Sequence, residues 1–164
     1  MSTPTRAFVG RLSELDVFDP LGDKVGRVRD VVVTFSASRS RPRVIGLVVE
    51  VPGRRRVFVP MTRVTSVEGG QVITTGLVNM RRFEQRPNET LVVAELFERE
   101  VQVRVDSGDV VGATVQDIGI EQLGPRGWGV TRAAVRLSAS RPGRLGIGRR
   151  RGETFVAPIE DVRG

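Results

Sequence analysis

The sequence contains no cysteine, no histidine and no tyrosine. Those absences together remove thiol nucleophiles, imidazole general bases, Ser–His and Cys–His catalysis, and the usual zinc and haem ligands. Lysine is scarce as well: Lys24 stands alone among 26 basic residues. The side chains left for chemistry are carboxylates, hydroxyls, arginines and that one amine, so an enzyme would need paired carboxylates or a hard cation held by Asp and Glu. Long apolar runs are missing too. The longest, Val44–Val51, is interrupted by Gly46 and Glu50 and falls far short of the ~20 residues of a bilayer span. The opening "MSTPTRAFVG" lacks the basic-then-apolar pattern of a secretory leader, which with the missing cysteines predicts a cytoplasmic setting.

What is present suits a folded β protein. The chain has 164 residues, 39% of them hydrophobic and 27% charged, enough for one domain or two small ones with real cores. The net charge of +7 invites an anionic partner, yet the bias to arginine is equally what a GC-rich coding sequence produces. Short Val- and Ile-rich runs recur: Lys24–Phe35, Arg43–Val51, Arg56–Pro60, Arg63–Gly69 and Gln71–Gly76. Turn residues punctuate them every eight to twelve positions or so, the texture of all-β folds. "VPGR" at Val51–Arg54 predicts a hairpin turn. Leu77, Met80 and Phe83 fall at helical spacing before Pro87, and "AELFERE" at Ala94–Glu100 predicts a further helical turn.

An internal repeat organises these runs. "GDKVGRVRDVVV" at Gly22–Val33 is echoed by "GDVVGATVQDIGI" at Gly108–Ile120, placing Gly22, Asp23, Val25 and Gly26 on Gly108, Asp109, Val111 and Gly112. One inserted residue then brings Asp30 onto Asp117. Downstream, "VFVPMTRV" matches "FVAPIEDV", with Pro60 on Pro158 and Val64 on Val162. Asp30 and Asp117 occupy strand interiors, where an aspartate is disfavoured unless its carboxylate accepts hydrogen bonds that hold a neighbouring loop. Small, strongly twisted sheets close most readily into barrels, which also removes their open edges.

The run "D-x-x-G-D-x-V-G-x-V-x-D-V", a return strand and then "F-V-x-P" resembles the PRC-barrel domain, the family that includes part of the ribosome maturation factor RimM. The first repeat, Leu12–Gly76, follows the pattern throughout, and the second, Glu95–Val162, follows it at its start and finish. "VFDPLGDKVGRVRDVVV", "GLVVEVPGRRRVFVPMTRV" and "GLVNMRRFEQRPNETL" also resemble actinobacterial cytoplasmic proteins in which such a region precedes the N and CBS domains of MgtE-type magnesium transporters. The resemblance implies two small PRC-barrel-like β-barrels in tandem: residues 1–76, a short partly helical connector at 77–93, and a divergent second unit at 94–164. It implies an interaction or regulatory module with no catalytic activity and no cofactor, working through a protein partner or other domains of a longer chain. The alternative from a different class is an RNA- or ribosome-assembly-associated basic protein resembling RimM.

Three features are candidates for a site. Arg54, Arg55 and Arg56, and again Arg149, Arg150 and Arg151, precede the "FV-x-P" strand of their repeat. They read either as anion-binding tips or as exposed charge that keeps a hairpin soluble, and no aromatic residue interleaves with them to stack on a base. Trp128 lies between glycines in "GPRGWGV" as either a partner anchor or a cap on a small core. Glu14, Asp16, Asp19 and Asp23 cluster within "ELDVFDPLGD", but the spacing lacks a calcium-loop pattern and the second repeat does not keep it, so no metal site is assigned. Asp30 and Asp117, in separate repeats, give no sign of a catalytic pair. Valines are expected to form the cores, with Phe8, Phe58, Phe155 and Trp128 as the larger fillers.

Overall fold

The computed structural model describes residues 6–35, 41–67, 70–75, 81–124, 127–138 and 152–164. The first half opens with strand β1 (Arg6–Phe8), a four-residue helical turn α1 (Val9–Leu12) and β2 (Asp16–Phe18). The long hairpin β3 (Lys24–Thr34) and β4 (Arg43–Val51) follows, then β5 (Arg55–Pro60), a 3-10 turn at Met61–Arg63, β6 (Val64–Ser66) and β7 (Gln71–Thr74). The second half runs through β8 (Glu89–Leu91), a π-helical turn at Val92–Leu96, β9 (Glu100–Arg104) and the hairpin β10 (Val110–Gly124) with β11 (Gly127–Leu137). It closes with β12 (Thr154–Pro158), a 3-10 turn at Ile159–Asp161 and β13 (Val162–Arg163). The fold is β-rich, as the punctuated valine runs predict.

The repeat seen in the sequence is a repeat of structure, down to register. Gly22 and Gly108 both take φ of 87° in the turn before the long strand, a conformation that favours glycine. Both turns are closed alike, Asp19 N–H donating to the Asp23 carbonyl and Val105 N–H to that of Asp109. β3 departs from regular pairing between Val28 and Asp30 and again between Val32 and Val33; β10 does so between Val115 and Asp117 and between Gly119 and Ile120. Such bulges re-aim side chains, and in both halves one precedes the strand-interior aspartate, Asp30 or Asp117.

The halves do not close separately. β1 pairs with β10, Phe8 opposite Gly119 and Ala7 opposite Ile120, while β8 pairs with β3, Leu91 opposite Val32 and Thr90 opposite Val33. Counted from Asp117 and Asp30, the two registers are identical. Each half thus lends its opening strand and helical turn to the other. A direct seam joins them as well: Trp128 pairs with Val44 and Gly129 with Arg43, where β11 meets β4. The halves differ at one edge, since β7 inserts in parallel beside β2 whereas β13 pairs directly with β9.

Alternation along the strands places valine inside. Leu12, Leu47 and Ile120 are the largest fully buried side chains, and valines from both halves fill the rest of a shared core. Each such burial stabilises by roughly 1.5–3 kcal/mol. The expected aromatic fillers are displaced from it. Trp128 and Phe155 are half-buried against its edge, Phe8 lies beneath the Arg132 guanidinium at 5.0 Å, and Phe58 stacks on Phe83 at the surface. A β-branched interior packed strand against strand leaves little room for rings. The helical turn expected over Leu77–Phe83 is also corrected. Leu77 and Met80 lie outside the described residues, while 81–86 is non-helical and lies along β5, Phe83 N–H donating to the Arg56 carbonyl at 2.8 Å.

Residues 1–80 and 81–164 produced separately are expected to lack cooperative thermal unfolding as monomers, and to recover it as a one-to-one complex when mixed or co-expressed. Circular dichroism with light scattering checks this. A cooperative melt from either monomeric piece would show that the strand exchange is dispensable.

Candidate functional site

The helical turns that open each half are too short to be stable alone. Their free N–H groups are met by carboxylates of the opposite half. Asp30, only 5% exposed, accepts from Val93 N–H at 2.7 Å and Ala94 N–H at 3.0 Å, and also from Val31 N–H at 2.7 Å. Asp117 accepts from Gly10 N–H at 2.8 Å and Ile118 N–H at 2.8 Å. The capping residues themselves, Phe8 and Leu91, offer no side-chain acceptor. The distant carboxylate therefore does the work of an N-cap. Gly10 is glycine for a steric reason: a Cβ there would sit 2.6 Å from Asp117 Oδ2.

Burial raises the Asp30 carboxyl above its ordinary value, outweighing the three backbone donors that favour the charged form. The sequence offered no sign of this. Asp16 is the opposite case: the hydrogen bond from Lys24, at 3.2 Å, holds its carboxyl low, aided by the charge of Arg27. Asp19 spends its carboxylate on Leu21 N–H and Asp23 N–H, both at 2.9 Å. The acidic cluster of "ELDVFDPLGD" is thus distributed between an ion pair and a turn.

The first arginine triplet crowns the β4–β5 hairpin. Gly53 takes φ of 89° and Arg54 itself φ of 58°, an uncommon conformation for a side-chain-bearing residue. Arg54 lines a shallow depression with Lys24, Arg27 and Arg29. Arg55 lies exposed opposite Val51, and Arg56 pairs across the strand with Glu50 at 3.7 Å, where Arg29 also reaches that carboxylate at 3.3 Å. The basic depression is therefore partly neutralised by Asp16 and Glu50. Arg149, Arg150 and Arg151 lie outside the described residues. Trp128 stands elsewhere, at the seam between the halves, beside Gly129, where a Cβ would come within 2.5 Å of Leu123 Cδ1. The structure thus does not bring Trp128 and the first triplet together.

One concentration of charge was not singled out from the sequence. A groove of about 820 Å³ is lined by Arg63, Arg81, Arg82 and Arg86 together with Phe58 and Phe83, whose rings stack at 6.4 Å and 28°. "MRRFEQRP" at Met80–Pro87 carried the signal, three arginines around a phenylalanine, but it read as a helical connector.

Against this geometry the family comparisons divide the chain in two. Residues 4–78 match the PRC-barrel domain. Residues 90–164 match the Actinomycetes SH3 domain. The PRC-barrel resemblance is thereby shown for the first half; the second half, expected as a divergent copy of the same domain, matches a differently described one. No curated protein matches the chain. The half that matches the PRC-barrel domain contains Asp30, the first arginine triplet and Ile45, Phe58, Pro60 and Arg63 of the groove; the other groove residues, at 81–89, lie between the two matches, and the SH3-matching half contributes Val93, Ala94 and Trp128. Among the described residues no helix is long and apolar enough to cross a membrane.

Asp30→Ala is expected to cost on the order of 3 kcal/mol or more, because it strands buried donors that now reach a charged acceptor. Asp30→Asn keeps one oxygen but sets an amide group against Ala94 N–H. A carboxyl raised by folding contributes stability that is complete below its unfolded value, near 3.8, and lost as pH rises through the folded one. Wild type should therefore gain stability relative to Asp30→Asn as pH falls across that window, measured by urea unfolding at a series of pH values. A pH-independent difference would contradict the raised value.

Proposed function

We propose that this chain is a non-catalytic interaction and regulatory module, acting on a protein partner or on other domains of a longer polypeptide. The observation that supports this best is how its carboxylates are employed: Asp30 and Asp117 hold backbone N–H groups across the two halves, and Asp19 holds a turn. These three carboxylates are engaged in folding. The PRC-barrel match over residues 4–78 is consistent with a module of this kind. The division into 1–76, 77–93 and 94–164 is part of the proposal. So is a cytoplasmic setting.

The finer reading rests on the sequence resemblance alone: the region would serve as the N-terminal part of an actinobacterial protein related to MgtE-type magnesium-transporter sensor regions. The Actinomycetes SH3 match agrees with that lineage. In this role Arg54, Arg55, Arg56 and Trp128 are the residues offered to a partner, with Arg149, Arg150 and Arg151 as the second tip.

Two measurements test it together. The melting temperature should stay within about 1 °C on adding millimolar Mg²⁺, with Mn²⁺ and Ca²⁺ as controls, since a cation held by the native state would raise it. A variant carrying Arg54→Ser, Arg55→Ser and Arg56→Ser should melt like wild type yet lose a stoichiometric partner captured by the unmodified chain. Cation-dependent stabilisation of several degrees, or turnover of a phosphoester substrate, would overturn the non-catalytic reading.

A further inference from the structure

Two basic surfaces flank the β4–β5 hairpin, and they differ in one respect. At its tip, Lys24 and Arg27 share Asp16, while Arg29 and Arg56 share Glu50. On its other flank, Arg63, Arg81, Arg82 and Arg86 are exposed around the groove, and none forms an ion pair among the described residues. Unpaired guanidinium groups gathered along a concavity retain their field for an incoming anion. The same groove carries the stacked pair Phe58 and Phe83, each half-buried. That pair has no role in the shared core.

The platform is held firmly in place. A Cβ on Gly46 would come within 2.5 Å of the Phe58 ring and 2.6 Å of the Val59 carbonyl, so glycine is what lets the ring lie flat over β4. Phe83 is fixed from the other side, because the segment at 81–86 is tied to β5 by Phe58 N–H to the Arg81 carbonyl at 3.3 Å and Phe83 N–H to the Arg56 carbonyl at 2.8 Å. Paired rings beside exposed arginines are the combination that single-stranded nucleic acids use, the bases stacking on aromatic faces while the phosphates meet guanidinium groups.

We propose that the groove between β5 and the 81–86 segment binds single-stranded RNA, with Phe58 and Phe83 as the stacking platform and Arg63, Arg81, Arg82 and Arg86 as the phosphate contacts. This rests on the reading above only in that the chain works by binding, and assigns this groove a nucleic-acid partner besides the protein partner proposed there. An acidic peptide would satisfy the arginines but leave the paired rings without a complement. Glu84 and Glu89 also line the groove. Carboxylates there oppose phosphate but accept hydrogen bonds from ribose 2′-hydroxyls, which favours RNA over DNA. Glu89 Oε1 already accepts from Arg86 N–H at 3.0 Å, so Glu84 is the carboxylate assigned to that contact.

The test is fluorescence anisotropy of a labelled oligouridylate about ten nucleotides long, with oligodeoxyuridylate and polyglutamate as parallel probes. Affinity for oligouridylate should fall on the order of fifty-fold between ~50 and ~200 mM salt if four phosphates are engaged. Combining Arg81→Ser, Arg82→Ser and Arg86→Ser should flatten the log–log salt slope by about 2. Phe83→Leu should weaken binding by about ten-fold while leaving that slope unchanged. Should Phe83→Leu fail to fold, Phe83→Trp supplies an independent readout, since a base stacked at that position should quench its fluorescence. Equal affinity for polyglutamate or for oligodeoxyuridylate would overturn the assignment, as would oligouridylate binding that the arginine and Phe83 variants leave unchanged. Shortening of the oligonucleotide during the titration would overturn the non-catalytic reading and this proposal with it; an intact but unbound oligonucleotide overturns the RNA assignment alone.

Discussion

A carboxylate reaching across to the free N–H groups of a helical turn in the other half is the contact on which this fold depends. It occurs twice, from Asp30 and from Asp117, and each instance is useless without the exchanged strand beside it. Three-residue strands and four- or five-residue turns have no stability of their own. They are ordered because the partner half supplies both a strand edge and an acceptor. Since the arrangement is reciprocal, neither half can loosen its opening segment without uncovering the other's core. The two repeats are thereby made into one cooperative body, even though different families match them.

Identical registers in the two halves make the departures from symmetry informative. The equivalent of Gly46 in the second hairpin is Arg132, each opposite the same position of its long strand, Val32 and Gly119. Glycine in the first half admits the Phe58 ring over β4, whereas arginine in the second lies over Gly119 and stacks on Phe8. One half therefore presents an aromatic floor with exposed arginines around it, and the other lays its arginine over a phenylalanine ring. Likewise β7 widens the first half, while β13 joins β9 directly. The two halves share a scaffold, and differences at matched positions give them distinct surfaces.

How much of this was legible follows from the range of the interactions. The turn glycines, the paired aspartates and the "FV-x-P" strands are local signals, each set by the φ, hydrogen-bonding or alternation demands of a few neighbouring residues, and they were readable in order. The purpose of the aspartates was only half readable. A polar residue inside a strand announces a need for donors, but two of the three donors to Asp30 lie more than sixty positions away. The aromatic residues were misassigned to the core because size alone does not say whether a valine-filled interior has room for a ring. The apolar spacing of "MRRFEQRP" resembles that of a helical linker, whereas pairing with β5 draws its described part out straight.

The amino-acid sequence by itself determined that the chain is β-rich and built as a repeat, and that cysteine, histidine and tyrosine chemistry is closed to it, since composition and short-range pattern decide such things. Tertiary structure alone decided that the halves trade their opening strands, that an aspartate of each caps a turn of the other, and that Phe58 and Phe83 meet among exposed arginines. The reason is physical. Alternation says which face of a strand is buried but not against which strand, and the choice of partner is made by the total burial and hydrogen bonding of the whole chain.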